Sequence, residues 1–221
     1  MSDNKQREEL SMNHQPAIRE EELKNRVATA RAYITANVDA EFQPYAWMIA
    51  KHESLATGGR VYNQFNPSNP LIELPNKTGG ADRWGWGMAQ IDKGENGDST
   101  AEVYDWHANV ASMNAILRSK RADATRFLGY YSSAYSNQSN WSEPPATNIN
   151  GHVVSAEVWA TLTLYNGAYG IPGQTTPTHN REFSSPLQFV PSTGRWIFHT
   201  NTQNPNYVRD VFTDSTIQEV E

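Results

Sequence analysis

Apolar residues recur at three- and four-residue intervals in several stretches of this chain, and long segments rich in Gly, Asn and Pro separate those stretches. That pattern is the strongest constraint on the fold. Helical stripes have to be buried against one another, with irregular loops carried between them. Leu23, Val27, Ala30, Ile34 and Val38 predict an amphipathic helix over residues 17–38. Pro44 suits the first turn of a second helix. Its stretch Tyr45 to Glu53 is apolar on nearly every side, so burial is expected. The helix should close at Ser54 to Gly59, where glycine permits a left-handed turn. Ser99 with Glu102 forms a capping box before a helix marked by Val103, Trp106, Val110, Met113 and Leu117, and a separate helix is expected over 122–135. Ser155 caps another, through Val158, Leu162 and Tyr165, which ends at Asn166-Gly167. A last short helix falls near 206–212. Residues 55–83, 136–151 and 170–206 read as loop, with a short hairpin around Val61 to Leu74 and a short strand at Arg195 to His199. Residues 1–15 lack apolar periodicity and read as a flexible arm, and residues 16–221 as one domain without a repeat.

Composition excludes several classes. The 221 residues include 7 Trp, 10 Tyr and 7 Phe, enough for a sizeable core with rings left to line a groove. The net charge of −6 offers no basic stripe for nucleic acid and no polybasic run for anionic lipid. There is no cysteine, hence no disulfide scaffold, Cys-ligated zinc or thiol nucleophile. The longest apolar run is five residues, Ala46 to Ala50. A membrane span needs roughly 20. The polar start MSDNKQREELSMNHQP lacks the apolar stretch of a signal peptide.

Nucleotide and serine-hydrolase motifs are absent, and the six histidines show no ligand spacing. His52-Glu53 opens like a zincin motif, but position 56 is Ala. Carboxylates remain. Glycosidic cleavage needs one carboxylic acid kept protonated to donate to the leaving oxygen, and often a second, ionised one to activate water or attack. Glu53 suits the first role. It lies at the C-terminal end of an apolar helix, where the dipole is negative, and burial among Tyr45, Trp47, Met48 and Ile49 is expected to disfavour its charged form. The alternative is a Glu paired with a nearby Lys or Arg.

Four short segments then fall in order between residues 45 and 211: Glu53-Ser54, Gly85-Trp86-Gly87-Met88-Ala89-Gln90-Ile91-Asp92, Tyr165-Asn166-Gly167 and Tyr207-Val208. The series resembles the lysozyme-like family of goose-type lysozymes and lytic transglycosylases. The match is imperfect at Met88-Ala89-Gln90 and Asn166-Gly167-Ala168, and the loops at 55–81 and 170–200 are long. Ile91-Asp92-Lys93, with Asp82-Arg83 shortly before the Gly-rich segment, is nearer the goose-type branch.

The resemblance implies a mostly α, lysozyme-like single domain with a small irregular or β lobe from residues 55–92 lining the cleft. It implies a muramidase that cleaves the β-1,4 bond between N-acetylmuramic acid and N-acetylglucosamine in peptidoglycan glycan strands. Glu53 would be the general acid, and Asp92, with Asp82, would activate water. Ser54, Gln90, Tyr165 and Asn166 would bind or position the sugar. Gly85 and Gly87 would let the backbone approach it, and Trp86, like Trp84, Tyr62 and Phe65, would stack on rings or fill core. No cofactor or metal is implied. The expected protein is a monomer that acts on the cell wall, carried there by a phage, a holin or a secretion system, with that machinery or an immunity protein as further partners. Three alternatives stand beside this one: a lytic transglycosylase using Glu53 alone, a chitin-directed hydrolase, and a silent glycan-binding piece of a phage tail or secretion apparatus.

Overall fold

The structure, a computed structural model, describes residues 20–55, 73–74, 85–86, 88–89, 91–92, 106–166, 186–198 and 206–213. Among these residues it is mostly helical, with three small antiparallel sheets. The expected capping pair Ser99 and Glu102, the arm at 1–15 and the aromatic residues Tyr62, Phe65 and Trp84 lie outside the described residues.

Helix α1 (Glu20–Asn37) buries Ala30 and Ile34, as its spacing predicts, and is followed by buried Val38 and Phe42. The chain reverses at Asp39, whose carbonyl accepts from the amides of Phe42 (2.8 Å) and Gln43 (3.2 Å). Helix α2 (Gln43–Leu55) then packs back on α1. Tyr45, Ala46, Ile49 and Ala50 are buried, whereas Trp47 and Met48 are only half-buried. The helix is therefore covered along one face rather than all round.

The two helices expected between 103 and 135 are one helix, α3 (Trp106–Tyr135), 30 residues long. Nothing in Arg118 to Asp123 breaks a helix, since that stretch holds no Gly or Pro. It reads as a gap because Arg118, Arg121 and Asp123 form ion pairs, the first two with other elements, instead of filling core. Arg118 donates to both carboxylate oxygens of Asp39 (2.5 and 2.6 Å), and the Asn114 amide adds a bond at 3.3 Å. Arg121 bridges Glu41 and Glu157, the latter at 2.9 Å. These ion pairs staple the α1–α2 turn and the start of the next helix to the middle of α3.

Residues 136–151 are not all loop. Strands β4 (Thr147–Ile149) and β5 (His152–Val154) form a hairpin through Asn150-Gly151. Both turn residues have positive φ, +50° and +83°, as a two-residue turn between twisted strands requires. Helix α4 (Ala156–Tyr165) follows, with the Ser155 hydroxyl accepting from the Val158 amide at 3.2 Å as expected. Most of α4 is buried, and it packs along α3 more extensively than any other pair of helices.

The predicted strand at 195–199 is half of a hairpin, β6 (Leu187–Val190) with β7 (Arg195–Phe198). It docks on the end of α3 through rings. Tyr131, Tyr135, Trp141, Phe189 and Trp196 meet with centroids 4.9–5.9 Å apart, three of the pairs edge to face. The last helix, α5 (Tyr207–Thr213), buries Tyr207, Val208, Val211 and Phe212 against α2 and α4. Within the segment expected to form a β lobe, strands β1 (Glu73–Leu74), β2 (Gly85–Trp86) and β3 (Ile91–Asp92) make a three-stranded sheet in that order. Of the hairpin expected around Val61 to Leu74, only β1 falls within the described residues.

Candidate active site

Glu53 sits in the last turn of α2 and is half-buried. The terminal carbonyls of a helix carry partial negative charge, so a carboxylate gains nothing from the backbone there. Its partner comes from 154 residues away. The Tyr207 hydroxyl donates to Glu53 Oε1 at 2.6 Å. Tyr207 opens α5, and the Val208, Val211 and Phe212 stripe that anchors this helix delivers it to α2. Its ring meets the His52 ring edge-on at 5.0 Å.

Burial holds the Tyr207 phenol well above the ordinary value of 10, and the nearby Glu53 carboxylate, the Tyr165 phenol and the hydrogen bond push it the same way. The phenol therefore keeps its proton at every working pH and is a permanent donor. Such a donor is compatible with either state of the carboxyl group. It can bond a carboxylate oxygen, or the carbonyl oxygen of an acid whose proton rides on the other oxygen.

The β2–β3 turn is held by α3 and α4. Met88 and Ala89, between the strands, are each 1% exposed. The Ala89 amide donates to Asn109 Oδ1 of α3 at 3.0 Å, and the Ala89 carbonyl accepts from the Tyr165 hydroxyl of α4 at 3.0 Å. Tyr165 thus touches the Gly-rich segment and influences Tyr207. The four motif segments thus meet as two bonded pairs, Tyr207 on Glu53 and Tyr165 on Ala89.

The other expected site residues are placed as follows. Ser54 follows Glu53 on α2. Asn166 closes α4, its amide donating to the Leu162 carbonyl at 3.1 Å. Gly85 and Trp86 make up β2, and Asp92 pairs with Gly85 across the β2–β3 ladder. Asp82, Gly87 and Gln90 lie outside the described residues. Tyr165, expected to hydrogen-bond sugar, donates its hydroxyl proton to the protein backbone.

Met88, Ala89, Tyr207 and Asn109 are not among the expected site residues. Tyr207 was part of a motif, but its bond to Glu53 follows from how α5 packs. Asn109 is fully buried. Its signal was present in the sequence: it shares a helical face with Trp106, Met113 and Ile116, where a polar residue needs a reason.

Among the described residues no group of three His, Asp or Glu could hold a metal, and no helix is long and apolar enough to cross a membrane. Comparison with known protein families, with curated proteins and with solved structures finds no match.

Proposed function

We propose that this chain is a lysozyme-like enzyme that cleaves the glycan strands of peptidoglycan, with Glu53 as its general acid. The observation that carries the reading is convergence. Four sequence segments that occur in the order of that family join in two bonded pairs, Tyr165 on Ala89 and Tyr207 on Glu53, and the undissociated Tyr207 phenol holds the half-buried carboxyl group by one oxygen.

In the proposed reaction the Glu53 proton passes to the glycosidic oxygen as the bond from the muramyl anomeric carbon to that oxygen breaks. Water adds to the anomeric carbon and gives up a proton to Asp92, aided by Asp82. The product has a reducing N-acetylmuramic acid end. If the muramyl 6-hydroxyl attacks instead, its proton passes to the Glu53 carboxylate as the ring closes, and the product is a 1,6-anhydro sugar. Both routes need Glu53 as the acid, and only the first adds water.

The test is digestion of purified sacculi by the wild-type chain and Glu53→Gln, with mass spectrometry of the released fragments. Gln cannot donate the proton, and a general acid is worth roughly 10²–10⁴-fold, so the variant should lose nearly all activity. A folded Glu53→Gln protein with more than half of wild-type activity would refute the assignment. Products one water lighter than the hydrolytic ones would move the reading to a transglycosylase. Binding to sacculi without release by the wild type would move it to a silent glycan-binding module.

A further inference from the structure

We propose that Asn109 and Tyr165 form a clamp on Ala89 that holds the turn between β2 and β3 in place, and that both act as positioning residues. The catalytic part of this rests on the reading of Glu53 as the acid.

Each half of the clamp grips a different peptide plane. The Ala89 amide belongs to the Met88–Ala89 peptide and donates to Asn109 Oδ1 at 3.0 Å. The Ala89 carbonyl belongs to the Ala89–Gln90 peptide and accepts from Tyr165 at 3.0 Å. Peptide units are rigid, so pinning two consecutive planes sets φ and ψ at the residue between them. The direction in which the chain leaves toward Gln90, Ile91 and Asp92 is then fixed by two side chains.

Those side chains stand on a rigid base. Asn109 lies in the first turn of α3 and Tyr165 is the last residue of α4, the two helices that pack most extensively on each other. Asn109 is fully buried and Ala89 is 1% exposed, so no solvent substitutes for a lost partner. The Tyr165 phenol also lies close enough to Tyr207 to influence its ionisation. Tyr165 thus holds Ala89, and Tyr207 holds Glu53, from helices that pack on each other. Catalysis is sensitive to such placement, because a shift of about 1 Å in a reacting group costs about 10²-fold in rate.

Three variants test the clamp: Asn109→Leu removes the acceptor, Asn109→Asp keeps an acceptor oxygen, and Tyr165→Phe removes the donor. The first readout is amide hydrogen exchange at Ala89 by NMR, slow in wild type and faster in Asn109→Leu. The second is kinetics on a soluble peptidoglycan oligomer. Asn109→Leu and Tyr165→Phe should each lower kcat about tenfold or more with KM within about twofold, and Asn109→Asp should recover most of that loss. Because both act through Ala89, the double variant should fall well short of the product of the two single losses. Should Asn109→Leu fail to fold, Tyr165→Phe with Ala89 exchange decides alone. Full wild-type kcat in folded single variants, or unchanged Ala89 exchange, would overturn the clamp. If the wild type cleaves nothing, the enzyme reading fails, and Ala89 exchange still judges the clamp.

Discussion

Removing one hydroxyl, by Tyr207→Phe, tests the candidate site at its most defined contact. The ring stays, and with it the edge-on packing on His52 at 5.0 Å. What is lost is the 2.6 Å bond to Glu53 Oε1. In the proposed reaction Glu53 is a neutral acid before proton transfer, and a neutral bond is worth about 0.5–1.5 kcal/mol. After transfer Glu53 is a carboxylate, and a bond to a charged group is worth about 1.5–3 kcal/mol. The difference, on the order of 1.4 kcal/mol, develops as the proton leaves, so it lowers the barrier rather than merely binding the ground state. That difference corresponds to roughly tenfold in rate. Tyr207→Phe should therefore lower kcat about tenfold and leave KM nearly unchanged, while Glu53→Gln loses far more. Initial rates on a soluble peptidoglycan oligomer, with circular dichroism to check folding, supply the assay. A folded Tyr207→Phe protein with more than half of wild-type kcat would show that the phenol only packs.

Other predictions concern stability. Gly194 has φ +66°, and a Cβ there would lie 2.6 Å from the Asn140 carbonyl oxygen. Gly194→Ala should thus cost on the order of 2 kcal/mol and lower the melting temperature by about 4–8 °C. Gly129 is exposed inside α3 with open space around it, so Gly129→Ala should raise the melting temperature by about 1–3 °C, and a shift of both variants in one direction would contradict this account. The Arg118 guanidinium, then the Asn114 amide, hold the Asp39 carboxyl down from the ordinary 3.8 to about 2. A depressed carboxyl contributes fully above its ordinary value and loses that contribution as pH falls through its folded value. Urea midpoints should therefore fall more steeply between pH 3.8 and about 2 in wild type than in Asp39→Asn, and equal slopes would refute the pairing.

What could be read in the sequence, and what could not, divides by range. The stripes of α1 and α4 were legible because local spacing and an N-cap serine determine them. The unity of α3 was not, because Arg118 and Arg121 serve ion pairs to Asp39, Glu41 and Glu157, which no local pattern reveals. The β4–β5 hairpin had a strong local signal in Asn150-Gly151, overshadowed by Pro144-Pro145 and the polar run before it. In the site, Glu53 stood out as a carboxylate at the end of an apolar helix. That Tyr207 bonds it, and that Tyr165 turns to Ala89, depend on packing between segments 154 and 76 residues apart.

That dependence has a physical consequence for how the site holds together. Helix α5 has seven residues, far too few to persist alone, since isolated helices shorter than about 12–15 residues are marginal in water. It exists because Tyr207, Val208, Val211 and Phe212 are buried against α2 and α4 and because the β4–β5 hairpin meets its far end. There the Asn150 side-chain amide donates to the Phe212 carbonyl at 3.4 Å, and the His152 ring lies 5.4 Å from the Phe212 ring. The phenol on Glu53 is thus the leading residue of an element whose helical form is itself a tertiary product. Anything that loosens α5 withdraws the donor from Glu53, while α2, which carries the carboxyl group, keeps its packing on α1. Glu53 and its hydrogen-bond donor belong to elements that depend differently on tertiary packing, and their 2.6 Å contact joins the two.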